Sequence, residues 1–270
     1  MMKFYKYQGA GNDFIMVDQR TQQWLTRADT TKIEKLCDRR FGIGADGLIL
    51  LQSLPGYDFE MVYFNSDGRE STMCGNGGRC IAAFAHDLGM DGNHFKFMAI
   101  DGAHEAAVDM HGTRSEAWVE LKMSDVKGVE VYGDAYVLNT GSPHFVRFVT
   151  EIDQLDMVAE GRAVRYNHRF AGEGINVNMV APFLTSSKEP ALKIRTYERG
   201  VENETLACGT GVTAAAIASY FEQSLKWGKH EIAVEARGGN LSVRFQAHPD
   251  NSFTDVWLSG PAAFVFEGQV

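Results

Sequence analysis

The stretch MCGNGGRC, residues 73–80, places a cysteine directly before a glycine-rich turn that runs into a helix-forming segment. The stretch ACGTG, residues 207–211, repeats this arrangement in the second half of the chain. Cys74 and Cys208 lie 134 residues apart in a chain of 270. Two copies of a thiol at a predicted helix start indicate one site that uses both thiols.

Composition narrows the classes of protein to which the chain can belong. With 44% hydrophobic residues it can bury a sizeable core, and 270 residues permit one large domain or two of ordinary size. The formal charge of −9 argues against general affinity for nucleic acid or an anionic membrane. No apolar run approaches the roughly 18 residues of a membrane helix, and the N-terminus lacks a signal-peptide pattern. We therefore expect a cytoplasmic protein.

The four cysteines form neither a C-x-x-C pair nor, with histidine, a zinc-finger spacing. In a reducing compartment they are expected to be thiols rather than disulfides, and no metal site is predicted. Cys37 and Cys80 fall within amphipathic helical stretches, where a small buried side chain is the better interpretation. Cys74 and Cys208 are then the candidates for chemistry.

The two halves of the chain resemble each other beyond the cysteine stretches. A shift of 134 residues brings Tyr63 onto Tyr197, and the glycine turns and the helices predicted at 75–88 and 210–221 then coincide without a gap. This repeat predicts a duplicated α+β unit. The patterns also predict a short helix at 30–38 and strands at 3–7, 14–17, 48–51, 57–64, 95–100, 105–109, 117–123, 177–180, 231–236, 241–245 and 254–258.

Each copy is predicted to hold a mostly antiparallel sheet, or barrel, wrapped around one central helix. We expect two pseudo-symmetric domains, one of residues 1–125 plus 260–270 and one of residues 126–259. The active site is expected in the cleft between them, with Cys74 in one domain facing Cys208 in the other.

Helix starts give these cysteines a chemical role. The positive end of a helix dipole stabilises a thiolate, and the unpaired N–H groups at 75–76 and 209–210 suit a carboxylate. One thiolate could remove the proton from the carbon next to that carboxylate, while the other thiol returns a proton to the opposite face and inverts the carbon. The alternative is a pair of helix-capping cysteines without chemistry.

Polar residues at the ends of predicted strands could contact a ligand beside the thiols. His144 and Asp13 occupy equivalent positions in the repeat and could orient the thiols. For all of these residues, local turn hydrogen bonds or a surface ion pair is the alternative. The strand-end candidates are Asn12, Asn65, Asn176, Glu198 and Arg199.

Five motifs, in the same order from one end of the chain to the other, resemble those of diaminopimelate epimerases. They are GAGNDF (9–14), RRFGIGADGLIL (39–50), FNSDGRESTMCGNGGRC (64–80), GINVNMV (174–180) and YERGVENETLACGTG (197–211). The resemblance implies a cofactor-independent isomerase with two pseudo-symmetric α/β domains, usually a homodimer. Such enzymes interconvert LL- and meso-diaminopimelate for lysine and cell-wall precursor synthesis.

The resemblance also implies roles for individual residues of this chain. Cys74 and Cys208 would be the two acid–base thiols of a two-base mechanism. The reacting carboxylate and amino group would bind at Gly75, Asn76, Gly209 and Thr210, and further substrate contacts would come from Asn12, Asn65, Asn176, Glu198 and Arg199. His144 and Glu198 would support the catalytic geometry, and Arg199 suits the far carboxylate through bidentate hydrogen bonds.

Three features depart from the family pattern. Ser142 stands where many members have asparagine, and Gly47 stands where some have glutamine. The stretch 198–208 is one residue longer than the common form. These departures leave both thiols in place and bear on how the far end of the substrate is recognised.

Three other functions remain open at this point. A proline or hydroxyproline racemase uses the same two-thiol logic, although the GNDF (11–14) and YERG (197–200) strings favour the epimerase. A thiol-based redox protein or a non-catalytic carboxylate-binding protein could also use the same cysteines. Exchange at the α-carbon separates the isomerases from both of these.

Overall fold

The computed structural model describes residues 1–110 and 117–270, with the backbone alone at Met110. The described helices are α1 (Thr30–Cys37), α2 (Gly75–Asp87), α3 (Met157–Arg165) and α4 (Gly209–Glu222), with a 3₁₀ turn at Ile152–Gln154. The first strands are β1 (Lys3–Gly9), β2 (Asn12–Asp18), β3 (Gly47–Gln52), β4 (Phe59–Asn65), β5 (His94–Ala99), β6 (Gly102–Met110) and β7 (Ala117–Lys122). The later strands are β8 (Glu130–Tyr132), β9 (Ala135–Asn139), β10 (Pro143–Phe148), β11 (Asn176–Leu184), β12 (Pro190–Glu198), β13 (Asn203–Thr205), β14 (Gly228–Ala236), β15 (Gly239–Ala247) and β16 (Phe253–Gln269).

The chain divides into two compact units. Unit 1 contains Met1–Leu121 and Gly260–Val270, and unit 2 contains Lys122–Ser259. Cys74 belongs to unit 1 and Cys208 to unit 2. Within the described residues, no helix combines the length and the apolar character needed to cross a membrane.

Unit 1 is built around α2. Strands β1 to β7 lie side by side in chain order, and β16 neighbours both β7 and β1, which closes eight strands into a barrel. Helix α2 packs against β1, β2, β3 and β6. Its residues from Asn76 to Ala85 are all buried, and Ile81 and Phe84 are completely so. This confirms the predicted sheet around a central helix, because burial of α2 on nearly all sides requires strands around it.

Unit 2 is built around α4 in the same way. Its sheet runs in the order β16, β15, β14, β12, β11, β10, β9, β8, with β13 paired to β12. Helix α4 contacts β9, β10, β11, β12, β14 and β15. The residues from Gly211 to Tyr220 are all buried, as the uniformly apolar sequence of this helix predicts.

The succession of strand pairings is the same in the two units. In unit 1 the pairs from β1/β2 to β6/β7 run antiparallel, parallel, antiparallel, parallel, antiparallel, antiparallel. The pairs from β9/β10 to β15/β16 in unit 2 follow the same series. A helix joins the two strands of every parallel pair, as parallel pairing requires a crossover. The predicted duplication is therefore matched strand by strand.

The elements predicted from sequence do not include β8, β9, β10, β13 or α3. Strand β8 has only three residues, and α3 contains a glycine in its interior, which weakens a helical pattern. The structure explains Gly161, since a Cβ there would lie 2.3 Å from Cγ of Tyr197. A glycine is required at this position because α3 and β12 approach each other so closely.

Candidate active site

Cys74 is the N-cap residue of α2, and its side chain is partly exposed. The first intrahelical hydrogen bond runs from the Gly78 amide to the Cys74 carbonyl at 2.7 Å. The amides of Gly75, Asn76 and Gly77 therefore have no acceptor within the helix. Cys74 therefore stands at a helix start, where the sequence places it, and its chemical use remains a prediction.

A chain of side-chain hydrogen bonds holds the predicted binding residue Asn76 in place. Its Nδ2 donates to Oδ1 of Asn12 at 2.7 Å, and Nδ2 of Asn12 donates to Oδ2 of Asp46 at 2.9 Å. Nη2 of Arg79 donates to Oδ1 of Asn76 at 2.9 Å. Arg79 is completely buried, and burial lowers the pKa of its guanidinium. Asn12 and Asn76 thus share one network in unit 1.

Asn65 lies at the exposed end of β4, directly opposite Gly47 on β3. A Cβ added at Gly47 would lie 2.5 Å from the Phe64 carbonyl oxygen and 2.6 Å from the Tyr63 ring. No side chain fits at Gly47 without displacing backbone. This chain therefore cannot present there the glutamine that some family members carry.

Asp13 and His144, which the repeat makes equivalent, have different surroundings. Asp13 pairs with Nζ of Lys6 at 2.8 Å and with Nη2 of Arg39 at 2.5 Å. Burial raises the pKa of the Asp13 carboxyl, but the hydrogen bonds from Arg39 and Lys6 outweigh it and bring the value down to about 2. Asp13 is thus part of an ion-pair cluster, which favours the structural interpretation of this residue.

Cys208 is the N-cap residue of α4 and is also partly exposed. The Val212 amide donates to the Cys208 carbonyl at 2.9 Å, so the amides of Gly209, Thr210 and Gly211 lack an acceptor within the helix. Cys208 Sγ lies 3.4 Å from the hydroxyl oxygen of Thr210. The second thiol therefore has the predicted helix-start setting, with a hydroxyl beside it.

His144 reaches this second thiol through Thr210. The imidazole Nε2 lies 2.9 Å from the Thr210 hydroxyl, and Nδ1 lies 3.0 Å from Nδ2 of Asn178. The side chain is completely buried, and burial, reinforced by the positive charge of Arg199, lowers its pKa to about 3. His144 is therefore neutral at physiological pH.

Asn176, Arg199 and Ser142 meet at the start of β11. Nδ2 of Asn176 donates to the Ser142 hydroxyl at 2.9 Å, and the Arg199 amide donates to Oδ1 of Asn176 at 2.8 Å. The Arg199 guanidinium donates to the Glu173 carbonyl at 3.0 Å and reaches the Ser142 hydroxyl at 3.5 Å. Ser142 thus contacts both residues predicted to bind the substrate in this part of the chain.

Glu198, the last residue of β12, precedes Arg199. Burial raises the pKa of its carboxyl, so the group gives up a proton less readily than an exposed glutamate. The alternative interpretation, a surface ion pair between Glu198 and Arg199, is not supported by the contacts described, which join the Arg199 guanidinium to Glu173 and Ser142.

The other two cysteines have the buried settings that the sequence predicts. Cys37 lies at the end of α1 and Cys80 within α2. Burial raises the pKa of Cys37 to about 11 and that of Cys80 to about 12. Neither thiol ionises at neutral pH. Among residues 1–110 and 117–270, no cluster of three or more His, Cys, Asp or Glu side chains could hold a metal ion.

Sequence reasoning missed three residues that support the predicted site, namely Asp46, Arg79 and Asn178, and it noted Ser142 only as a departure from the family pattern. A signal existed for Asn178, because it follows Asn176 by two positions on a strand and therefore shares its face. Asp46 meets its partner Asn12 across a distant part of the chain, and no local pattern marks it. Arg79 lies one helical turn after Asn76, so their i,i+3 spacing is a local signal that sequence reasoning did not use.

Comparison with known proteins gives consistent matches over the whole chain. The family model described as diaminopimelate epimerase matches residues 4–127 and 136–265. The diaminopimelate epimerase of Flavobacterium psychrophilum is 48% identical over 267 residues, which cover 98% of this chain and 99% of that protein. The diaminopimelate epimerase of Aquifex aeolicus is 39% identical over 284 residues, covering 100% of this chain and 98% of that protein.

Among solved structures, the chain resembles a phenazine biosynthesis protein of the PhzF family from Bacillus anthracis. The TM-score is 0.74 at 14% sequence identity, and the match covers 100% of this chain and 98% of that chain. At this identity the likeness concerns the fold alone. It agrees with an α+β fold of two similar halves.

Proposed function

The chain belongs to the diaminopimelate epimerase family, and on that premise we propose the role of each site residue in the reaction. It is an isomerase that acts on diaminopimelate in lysine biosynthesis. The proposed reaction converts LL-diaminopimelate to the meso form, and supplies a cell-wall precursor, by proton exchange at one α-carbon without pyridoxal phosphate or metal.

Cys74 and Cys208 are the proposed acid and base. Inversion requires that a proton leave one face of the α-carbon and that another arrive on the opposite face, so two groups are needed. One cysteine acts as thiolate and takes the α-proton, and the other acts as thiol and gives its proton. The observation that carries the proposal is that each thiol caps the start of a buried central helix.

The helix-start amides bind the reacting carboxylate in this proposal. Positive charge at the two N-termini favours the enediolate-like charge that develops when the α-proton leaves. Asn76 and Thr210 each follow the first residue of their helix, and the side chain of Asn76 is fixed by Asn12. Asn12 and Asn65 complete the substrate contacts on the Cys74 side.

The far amino-acid end of diaminopimelate is assigned to Asn176, Glu198 and Arg199. A guanidinium suits a carboxylate, and the amide and carboxylate oxygens suit an ammonium group. The hydroxyl of Ser142 takes part here, because it lies within hydrogen-bond distance of both Asn176 and Arg199. This serine replaces the contact that an asparagine makes in other members.

Exchange of the α-proton tests the reaction directly. Reduced protein is incubated with LL-diaminopimelate in deuterated water, and deuterium at the α-carbon is followed by proton NMR together with formation of the meso isomer. We expect exchange with diaminopimelate and none with proline. Exchange with proline alone would indicate a proline racemase, and absence of exchange with both would contradict an isomerase.

Single substitutions test the two thiols. We expect Cys74→Ala and Cys208→Ala each to abolish epimerisation, because either change removes one of the two required groups. Cys37→Ala is the matched control, since Cys37 is buried in α1 and outside the proposed site. Near-normal turnover in either of the first two variants would refute the two-base assignment. A non-catalytic binding protein would keep its affinity for diaminopimelate in Cys74→Ala, and its wild type would show no exchange at the α-carbon.

Two finer points complete the proposal. We propose that the enzyme is a homodimer, as the family resemblance implies, and that it works in the cytoplasm, as suits a biosynthetic isomerase of a small metabolite. Its substrate is its proposed small-molecule partner.

A further inference from the structure

The side-chain amide of Asn178 has a fixed orientation. Its Nδ2 lies 3.0 Å from the backbone carbonyl of Phe145, and its Oδ1 accepts a hydrogen bond from the Thr196 hydroxyl at 3.0 Å. A carbonyl oxygen can only accept, so the atom that faces Phe145 must be the amide nitrogen. Asn178, Phe145 and Thr196 are all buried in unit 2, and Asn178 is completely so.

This orientation determines which nitrogen of His144 carries the hydrogen. The amide nitrogen of Asn178 has two hydrogens, one directed to Phe145 and the other to Nδ1 of His144 at 3.0 Å. Nδ1 must therefore be an acceptor, and the hydrogen of the neutral ring is on Nε2. Burial and the charge of Arg199 both keep the ring neutral, so this tautomer persists across physiological pH.

The fixed tautomer in turn directs the hydroxyl of Thr210. Nε2–H of His144 donates to Oγ1 of Thr210 at 2.9 Å, which occupies one lone pair of the hydroxyl oxygen. The hydroxyl hydrogen remains available for Sγ of Cys208, 3.4 Å away. A thiolate accepts such a hydrogen bond more strongly than a thiol does, because its sulfur carries the negative charge.

We propose that Asn178, His144 and Thr210 form a hydrogen-bond relay that donates the Thr210 hydroxyl hydrogen to the Cys208 thiolate. The inference rests on the proposed function, in which Cys208 reacts at the α-carbon. Thr210 stabilises the thiolate directly, and Asn178 is a positioning residue that acts through the imidazole. The relay makes Cys208 ionise at lower pH than the helix start alone would achieve.

The residue of unit 1 that corresponds to Thr210 is an asparagine, Asn76. Asn76 follows Cys74 by two residues, as Thr210 follows Cys208, but the Asn76 side chain is bound to Asn12 and Arg79. The two thiols therefore have unequal surroundings within their own units, although the surrounding strands follow the same pattern. Each turnover starts with one thiolate and one thiol, which exchange roles when the reaction runs in the reverse direction, and the relay favours the state in which Cys208 is the thiolate.

Alkylation of Cys208 by iodoacetamide, measured against pH by peptide mass spectrometry, tests the contribution of Thr210. We expect Thr210→Val to move the pH midpoint upward by about one unit, roughly a tenfold loss of thiolate near neutral pH, as for one lost hydrogen bond. Thr210→Ser, which keeps the hydroxyl, should stay near the wild-type midpoint. The matched control is Thr213→Val, which removes a buried hydroxyl bonded to the Gly209 carbonyl in the same helix.

The role of Asn178 is tested by spectroscopy and kinetics. We expect ¹⁵N NMR of the wild type, with His144 assigned by comparison with His144→Gln, to show a neutral ring protonated on Nε2. Asn178→Leu should raise the pH midpoint for alkylation of Cys208 and lower kcat by about tenfold, with little change in KM. Without the hydrogen bond from Asn178, the neutral His144 ring can carry its hydrogen on either nitrogen. The NMR measurement does not depend on the folding of any variant at position 178.

Two results would overturn the relay. One is a wild-type His144 ring protonated on Nδ1, and the other is a Cys208 midpoint that Thr210→Val and Thr213→Val leave equally unchanged. Either result, obtained while wild-type protein still exchanges the α-proton of diaminopimelate, would reject the relay and leave the proposed function intact. Loss of exchange in the wild type would reject the proposed function instead.

Discussion

Among single residues, Asp13 shows how one carboxylate can serve two cations of different exposure. The Lys6 side chain is 6% exposed, whereas that of Arg39 is 57% exposed. Screening by water makes an exposed pair weak, so the buried Lys6 ammonium depends on Asp13 far more than Arg39 does. Asp13 therefore supports the loop that contains Asp46, the partner of Asn12.

We expect Asp13→Asn to lower the free energy of unfolding by about 1–3 kcal/mol at pH 7, because it leaves the buried Lys6 ammonium without its carboxylate. The folded-state pKa of Asp13, about 2, lies below its ordinary value of 3.8. Its contribution is therefore complete above about pH 4 and is lost as the pH falls through about 2. Urea unfolding at several pH values should show the two proteins converging in acid.

The control is Asp67→Asn, because Asp67 is 54% exposed and lies 4.0 Å from Arg69. It should change stability by less than about 0.5 kcal/mol. A stability difference for Asp13→Asn that stays constant from neutral pH to acid would show that its charge is not responsible.

The residues predicted from sequence are those whose signal is local. A cysteine before a glycine turn and an apolar helix can be seen within ten residues, and the structure places Cys74 and Cys208 at such helix starts. Asn178 acts on His144 only because β10 and β11 pair in one particular register. Registers between distant strands are set by packing, and one sequence alone does not display them.

Among elements, helix α3 packs closely against β12 and restricts the position of that strand. Gly161 is buried against Tyr197. Tyr197 precedes Glu198, the last residue of β12, and Arg199 follows directly after the strand. The absence of a side chain on this helix face therefore fixes the position of the strand end that carries two proposed substrate contacts. Helix α3 itself was missed by the sequence prediction because its own pattern is interrupted at that glycine.

We expect Gly161→Ala to lower the free energy of unfolding by about 1–3 kcal/mol through overpacking against Tyr197. This loss opposes the gain of up to about 1 kcal/mol that alanine brings to a helix interior. Displacement of Glu198 and Arg199 should raise KM for diaminopimelate more than it lowers kcat. Thermal unfolding and steady-state kinetics check both effects.

Gly172→Ala is the control for this change, because a Cβ at Gly172 meets nothing within 4 Å. It should leave stability and KM near their wild-type values. An alanine at 161 that is as stable as the wild type would show that β12 can move away from α3 at little cost.

For the whole molecule, duplication made the fold predictable. Repeated apolar patterns located the two central helices and most of the strands, and the pairings of unit 1 recur in unit 2. The length of β16 was beyond sequence patterns, since a strand was predicted only at 254–258 and the structure extends it over Phe253–Gln269, from one unit into the other.

The homodimer is tested by light scattering coupled to gel filtration. We expect a mass of about twice the chain mass of 29.9 kDa, unchanged on dilution to working enzyme concentrations. A mass equal to that of one chain at every concentration would contradict the homodimer and leave the assignment of the thiols untouched.

The alternation of side chains along β11 limits how this protein can change during evolution. Asn176 and Asn178 share one face of the strand, and Val177 and Met179 are buried in a hydrophobic cluster on the other. Insertion or deletion of one residue within the strand would exchange these faces from that point onward. The asparagine assigned to substrate and the asparagine that holds His144 can thus be altered one at a time by substitution, but their spacing is inherited as a unit.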